Sequence, residues 1–404
     1  MNRYQRINAI KVSLFNNKKL YISNLAIELN VSERTLRRDL TYLSEIGVAE
    51  LFFGGAKLVE LDKRSLFKNT GMKNIMSKTL NIHEQEYEQR KNLTNMDKLG
   101  VYVLGSFNID IVSEQDFFPK VGETIRATST NFYAGGKGSN QATAAAKVNK
   151  NVHLAVKIGI DEFGDKAKKH LNSTDINSFS ILLDEEKPTG NAMIFVSKSS
   201  GDNMIAIDLG ANENIQAEEI SEQFSLIKDS KVFLTQLENN FDMTKLAIEF
   251  ANRTPSLVIL NPAPYNEKVK EIIHLVDIVT PNETEAESLS GVPILDIESA
   301  KNAAEKIHNM GVKIVIITRG AKGALLFDGQ RHRIFPPYKA VVTDTSGAGD
   351  AFNGALAACI ANDKSLEYAI KYATAFASLA VELNGASNMP EATLVESRLL
   401  ISEG

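Results

Sequence analysis

The apolar positions of this chain change their period along its length. Through the first 60 residues they recur at helical spacing: Ile7, Ile10 and Leu14 share one stripe, and Ile22, Leu25, Ala26 and Leu29 share another. Asn30-Val31 interrupts the pattern, and Ser32 then offers an N-cap to a third helix, ERTLRRDLTYLSEIG. That spacing buries Leu36, Leu40 and Leu43 and turns Arg34, Arg37, Arg38 and Thr41 outward. Gly47 closes the helix, and VAELFFGGAKLV predicts a hairpin with Gly54-Gly55 at its turn. Residues 61–98 keep no sustained period. Polar and mixed in charge, they read as a linker with a helix around His83–Lys91.

From Gly100 a second pattern begins. Apolar runs (VYVLG, LVILN, DIVT, IVIIT, GALLF) alternate with amphipathic stretches such as AEEISEQFSLIKD and AKNAAEKIHNMG. Continuous runs of this kind are strands buried on both faces. The pattern therefore predicts an α/β domain with a mostly parallel sheet and helices on both sides. The expected organisation is a small domain over 1–60, a linker over 61–98 and a large domain over 99–404, a division that suits a chain of 404 residues.

Composition alters this picture at three points. No apolar run approaches the roughly 20 residues that span a bilayer, and MNRYQRINAIKVSLF lacks a small-residue cleavage site, so neither a membrane span nor a signal peptide is expected. Cys359 is the only cysteine, which excludes an internal disulfide and fits a cytoplasmic protein. The net charge of −5 is unevenly spread: residues 1–98 hold 17 Lys/Arg against 11 Asp/Glu, and the rest hold 28 against 39. An acidic body does not suggest general polyanion binding, whereas a basic head could touch phosphates.

In that head, two helices, a tight turn and outward arginines at 34, 37 and 38 have helix-turn-helix spacing, suited to phosphates or guanine edges; a packing module with solvated arginines would look alike. In the large domain, VLGSFNIDIV reads as a strand ending in Asn108 and Asp110, where ligands of open α/β sheets gather, though a turn aspartate fits too. YAGGKGSNQATAAAKV places glycines before a helix that Ser139 or Asn140 could begin. It is not a P-loop, because position 131 is Asn and Gly138 stands where Ser/Thr is required. Backbone groups with Lys137 and Asn140 suit a neutral polyol. FLTQLE puts Glu238 at a strand end. Asn282 and Glu285 can share one helix face, where they suit a hydrated Mg²⁺ beside a nucleotide phosphate, though a helix N-terminus with a solvated acid fits too. IITRGAKGALLF offers a flat wall for a base, or an ordinary hairpin. In TDTSGAGDAFNG, Gly347-Ala348-Gly349 lead into a helix, so free N–H groups and the dipole converge where a phosphoryl group develops charge. Asp350 at its edge is a candidate base, or an aspartate favoured by the same dipole.

Two resemblances sharpen these readings. ISNLAIELNVSERTLRRDLTYLSEIGVAELFFGGAKL is similar to the winged helix-turn-helix of the DeoR family of bacterial sugar-operon regulators, chiefly through VSERTLRRDL and the GGA wing. It implies a double-stranded DNA operator as partner. Residues 99–404 resemble the ribokinase-like (PfkB) family of sugar kinases, through AGGKGSNQATAAAKV and DTSGAGDAFNGAL; NPAP and DIVTPNETEAE are nearest its ribokinase members. That resemblance implies an ATP-dependent kinase for a pentose, most simply ribose, with Asp350 as base and Gly347, Ala348 and Gly349 as anion hole. Asn108, Asp110, Gly136, Lys137, Asn140 and Glu238 would hold the sugar. Asn282, Thr318, Gly320 and Gly323 would line the nucleotide, and Glu285 would order Mg²⁺. Asp344, Ser346, Ala380, Leu383 and Gly385 match a monovalent cation site for K⁺. GETIRATSTNFY resembles the family's small β lid, which pairs two copies into a homodimer. Arg319 departs from the family, where an apolar residue is common, and puts the fit of the nucleotide wall in question. The competing expectations are a sugar-sensing repressor without catalysis and a kinase for deoxyribose or a nucleoside.

Overall fold

The computed structural model describes residues 6, 10, 19–29, 31–45, 49–52, 55–58 and 99–402. The chain forms two units, Met1–Met96 and Asp97–Gly404. The positions Ile7, Leu14, Asn30, Gly47 and Gly54, and all of 61–98, lie outside the described residues.

In the first unit, strand β1 (Lys19–Tyr21) precedes helices α1 (Ile22–Glu28) and α2 (Glu33–Glu45). Ser32 caps α2 by accepting from the Thr35 N–H at 3.2 Å. The helical stripe buries Leu36, Leu40 and Leu43 against Ile10, Leu20, Ile22, Leu25, Ala49 and Ala56. Arg34, Arg37, Arg38 and Thr41 face solvent from α2, and Arg37 pairs with Glu33 at 3.1 Å. Strands β2 (Ala49–Phe52) and β3 (Gly55–Leu58) form the expected hairpin. β1 adds itself to β3 as a third strand, too short to carry a period of its own.

The second unit is built on a nine-stranded sheet. Its strands are β4 (Leu99–Leu104), β7 (Val152–Gly159), β8 (Ser178–Asp184), β11 (Ser230–Thr235), β12 (Leu257–Leu260), β13 (Ile278–Val279), β14 (Ile314–Thr318), β15 (Ala324–Phe327) and β16 (His332–Phe335). Their order is β16-β15-β14-β13-β12-β11-β4-β7-β8, parallel from β8 to β14 and antiparallel at β15 and β16. The sheet is buried on both faces because successive side chains alternate between two cores. Val101, Val103, Val232 and Leu234 pack under α3 (Lys137–Ala146), α10 (Ala348–Ala361) and α11 (Leu366–Ala380). Tyr102, Leu104 and Phe233 pack on the other face, where α7 (Phe241–Ala251), α8 (Glu283–Ser290) and α9 (Ile297–His308) lie. α10 is apolar nearly all round and accordingly buried, its alanines admitting α3 and α11 at close range.

Four strands form a separate sheet in the order β10-β9-β5-β6: β5 (Asn108–Gln115), β6 (Ser129–Gly135), β9 (Gly190–Ser197) and β10 (Asn203–Asp208). Three expectations change here. Asn108 and Asp110 do not end the first strand; β4 stops at Leu104, and they open β5 of the small sheet. The Phe107 N–H is taken by the Asn212 side chain at 3.1 Å instead of a neighbouring strand, so the chain leaves the large sheet at that point. Of GETIRATSTNFY, only Ser129 onward is strand. AEEISEQFSLIKD forms two helices, α5 (Ala217–Glu222) and α6 (Phe224–Lys228), parted at Gln223, whose side chain turns inward to accept from the Tyr102 hydroxyl at 3.1 Å. The remaining helices are α4 (Glu162–Leu171) and α12 (Ala392–Ser402). No helix among the described residues is long and apolar enough to cross a membrane.

Candidate active site

Five neighbouring parallel strands deliver polar residues to one edge of the sheet. Ser106 follows β4, Gln236 and Glu238 follow β11, Asn261 follows β12, Thr280 and Asn282 follow β13, and Thr318 ends β14. The N-termini of α3 and α10 face the same edge, and a cleft of about 160 Å³ lies between them. It is lined by Lys137, Asn261, Ala263, Thr280, Asn282, Glu285, Thr318, Thr345, Asn353 and the run Gly347 to Asp350.

The floor of the cleft is the start of α10. Gly347 sits at φ 76°, and a side chain there would come within 2.7 Å of the Ala386 carbonyl, so the turn requires glycine. The Ala348 N–H donates to Thr345 O at 3.3 Å. The N–H groups of Gly349 and Asp350 meet no acceptor among the described residues, and with the helix dipole they leave a corner that can receive an anion. Asn353, one turn on, braces it by donating to Gly349 O at 2.8 Å and accepting from the Thr280 hydroxyl at 2.5 Å.

Asp350 is buried, and each of its carboxylate oxygens accepts a side-chain amide of α3: Asn140 Nδ2 reaches Oδ2 at 3.0 Å and Gln141 Nε2 reaches Oδ1 at 3.0 Å. α3 starts at Lys137, two residues before Ser139, because its first amides are capped from other strands. Glu238 accepts from the Lys137 N–H at 2.9 Å, and the Ser106 carbonyl accepts from the Ser139 N–H at 3.0 Å. Ser106 Oγ also donates to Glu238.

Charge gathers around the Lys137 ammonium. The carboxylates of Asp350, Glu238, Glu285 and Asp110, outweighing its burial, hold it above the usual lysine range. Asp110 is pushed up to about 7, first by burial and then by Glu238 and Asp350, with Lys137 opposing. Burial likewise raises Glu285, against the N–H of Asn282 and the charge of Lys137. Asn282 and Glu285 form a reciprocal capping box at α8: the Glu285 N–H donates to Asn282 Oδ1 at 2.8 Å, and the Asn282 N–H to Glu285 Oε2 at 2.9 Å. Capping and cleft lining are thus done by the same two side chains.

The other expected residues surround the cleft. Asn108 and Asp110 lie at the start of β5, Asn108 against Gly136 and Asp110 against Gly135. Asn108 Oδ1 accepts from Asn212 Nδ2 at 2.9 Å. The Asn212 amide cannot be reversed, since its oxygen accepts from the Phe107 N–H and its nitrogen donates to the carbonyls of Phe107 and Leu209. Gly320 and Gly323 continue from Thr318 in the β14–β15 turn, and Gly323 packs against the Phe335 carbonyl. Asp344 spans the two halves of the expected cation site, accepting from the Ser346 N–H at 2.8 Å and the Gly385 N–H at 2.9 Å; Leu383 N–H donates to Ala380 O at 3.0 Å alongside. Arg319 points away from the cleft, onto Glu283 at 3.0 Å.

The profile of the pfkB family of carbohydrate kinases matches residues 98–393, and that of the DeoR-like helix-turn-helix domain matches residues 6–61. The chain belongs to the PfkB family of carbohydrate kinases. Its kinase domain is 37% identical over 286 residues to a ribokinase of Haemophilus influenzae, spanning 71% of this chain and 93% of that protein. It is 35% identical over 288 residues to a deoxyribokinase of Salmonella typhi, spanning 71% and 94%. Among solved structures, ribokinase from Thermotoga maritima superposes with a TM-score of 0.68 at 37% identity, covering 74% of this chain and 99% of that one. Arabidopsis thaliana ribokinase complexed with ribose and ATP superposes at 0.67 and 31% identity, covering 74% and 98%.

Sequence reasoning did not pick out Gln141, Asn212, Gln236, Asn261, Thr280, Thr345 or Asn353. Asn261 had a signal, since it ends the apolar run LVILN as Glu238 ends FLTQLE. Asn353 lies one helical turn beyond Gly349. Gln141 lies within AGGKGSNQATAAAKV and Gln236 within FLTQLE, but nothing in either stretch says that the amide is buried.

Proposed function

We propose that this chain transfers the terminal phosphoryl group of ATP to a hydroxyl of a pentose, D-ribose giving ribose 5-phosphate, and that its N-terminal unit binds a double-stranded DNA operator to regulate transcription. The observation that carries the kinase reading is Asp350: a buried carboxylate held by two amides at the lip of the Gly347–Gly349 turn, in one cleft with Lys137, Asn282 and Glu285. Asp350 takes the proton of the attacking hydroxyl as its oxygen bonds to phosphorus, and the bond to the bridging oxygen of ADP breaks. The free N–H groups of Gly349 and Asp350 meet the charge on the transferring group. Asn108, Asp110, Gly136, Lys137, Asn140 and Glu238 hold the sugar, while Asn282, Thr318, Gly320 and Gly323 line the nucleotide. The oxygen-bearing, half-buried Glu285 fits Mg²⁺, which supplies neutralisation of phosphate charge when bound. The Asp344 carboxylate, which draws the Ser346 and Gly385 backbone together, is an oxygen donor of the kind K⁺ takes, and it would hold that ion with Ser346, Ala380, Leu383 and Gly385.

The Asn108 amide supports ribose. With its oxygen committed to Asn212, it presents Nδ2 with no protein partner among the described residues, and a sugar lacking the matching hydroxyl would leave that donor unpaired. Similarity to a deoxyribokinase favours 2-deoxyribose as the second reading. Exposed Phe132, Tyr133, Met193, Phe195 and Ile205 on the small sheet support a homodimer, and the lone buried Cys359 supports a cytoplasmic setting.

The test is an ATP-dependent screen over ribose, 2-deoxyribose, fructose and nucleosides. Ribose should give the highest kcat/KM, and Asp350→Asn should lower kcat by about 100- to 10,000-fold. Turnover of no sugar, with operator binding that responds to sugar, would leave a sensor in place of a kinase. For the N-terminal unit, Arg37→Ala should weaken operator binding and reduce the salt slope by about one in gel shifts at several salt concentrations; unchanged binding overturns that role.

A further inference from the structure

We propose that Gln141 is the positioning residue that sets the carboxylate plane of Asp350, through a relay of side-chain amides beginning at Gln236. The proposal rests on Asp350 acting as the base. Gln141 is fully buried in α3. Its Nε2 donates to Asp350 Oδ1 at 3.0 Å and to Asn261 Oδ1 at 3.1 Å, while its Oε1 accepts from Gln236 Nε2 at 2.7 Å.

The direction of the relay follows from the charge at its end. An ionised carboxylate only accepts, so Gln141 must turn Nε2 to Asp350 and Oε1 to Gln236. Gln236 must then present its nitrogen, and its own Oε1 is buried with no partner. A buried orphan acceptor is costly, and such groups in folded proteins call for a reason. Here the reason is that reversing Gln236 would turn two oxygens face to face and release Gln141. The relay holds its direction toward Asp350 at the expense of one unsatisfied atom.

Packing makes the relay possible. A side chain at Gly354 would come within 2.2 Å of the Gln141 carbonyl and 2.6 Å of Ala144 Cβ. α3 and α10 therefore meet backbone to backbone, one turn beyond Asp350, and the Gln141 side chain is carried onto the carboxylate. With Asn140 on Oδ2 and Gln141 on Oδ1, rotation of the carboxylate is blocked from both sides, and each oxygen keeps a lone pair for a proton. Fixing a base in this way contributes to the orientation of the reacting groups.

The experiment uses the full chain with Gln141→Met, which keeps the bulk and removes the donor, and Gln141→Glu, which keeps the shape and adds an acid. Gln141→Met should lower kcat about 10- to 100-fold with the sugar KM within about twofold of the parent. Gln141→Glu places a second carboxyl against Asp350, and the acid limb of the kcat profile should move up by about one pH unit or more. A parental kcat in Gln141→Met, or an unmoved acid limb in Gln141→Glu, overturns the proposal; if the methionine variant fails to fold, the glutamate profile decides alone. Asp350→Asn separates the two levels: an inactive variant beside a fully active Gln141→Met removes only the role of Gln141, whereas an active Asp350→Asn removes the base and the relay together.

Discussion

Asp350 and Asp110 belong to one charge cluster around Lys137, yet the protein treats them in opposite ways. Asp350 receives an amide donor on each oxygen. The Asp110 carboxylate meets no donor among the described residues, and burial beside Glu238 and Asp350 pushes it up to about 7. Desolvating an anion is costly unless hydrogen bonds replace the lost water. The protein supplies those bonds to the group proposed to move a proton, which must stand ready in one geometry before substrate arrives. It withholds them from the group proposed to bind the sugar, so that the ligand's hydroxyls supply what is missing. A carboxylate held by its own protein is suited to catalysis, and one left short of donors is suited to binding.

The largest effect expected from this contrast is the loss of kcat in Asp350→Asn, with little change in sugar KM. Asp110→Asn should show the reverse split: sugar KM rising about 10- to 100-fold, as for loss of hydrogen bonds to a charged group, and kcat much less affected. Equal losses of kcat in both variants would erase the distinction. Stability gives a second readout. Asp110 has a raised pKa when folded, so between about 4 and 7 the native state binds more protons than the unfolded one, and stability falls as pH rises through that window. Asp110→Asn removes this slope. Without sugar, its thermal midpoint should exceed the parent's at pH 8, and the gap should close by pH 4. A constant gap across that range would mean that Asp110 is ionised as easily as an exposed aspartate.

What could be read from the sequence divides along the same line between local and distant partners. The sheet with helices on both faces was legible because each strand carries its own apolar run and each helix its own stripe. The turn at Gly347 was legible as a candidate anion corner because glycines, helix start and acid are consecutive. The supports were not. The first turn of α3 is capped by Glu238 and Ser106 from the segments that follow two strands, which is why the sequence points to a start at Ser139 or Asn140 and the helix begins at Lys137. Gln141 and Gln236 are 95 positions apart, and an amide that serves a carboxylate looks like any surface glutamine until the fold buries it. Asn108 and Asp110 open a strand instead of ending one, and the bond that marks the break before them joins Phe107 to Asn212, 105 residues further on.

Glu283 extends the comparison to a carboxylate satisfied by cations. Arg319, nearly buried, donates to it at 3.0 Å, and Lys322 reaches both oxygens at 3.2 Å. Glu283 sits in the first turn of α8, directly after Asn282, while Arg319 follows Thr318, and Asn282 and Thr318 are themselves bridged in parallel. The ion pair therefore laces the wall turn to the start of α8 from outside the cleft. This answers the doubt that an arginine at this position raised: its side chain is committed to Glu283 and does not line the cleft. Arg319→Leu should consequently have the smallest effect of the series. Lys322 still covers Glu283, so the loss of stability should be about 1–2 kcal/mol in urea unfolding of the full chain, less than for a buried charge left alone. The KM for ATP should rise no more than about threefold at unchanged kcat, a difference worth well under 1.4 kcal/mol. A tenfold rise in that KM, with stability intact, would mean that Arg319 reaches the nucleotide itself and that the Glu283 pair opens when ATP binds.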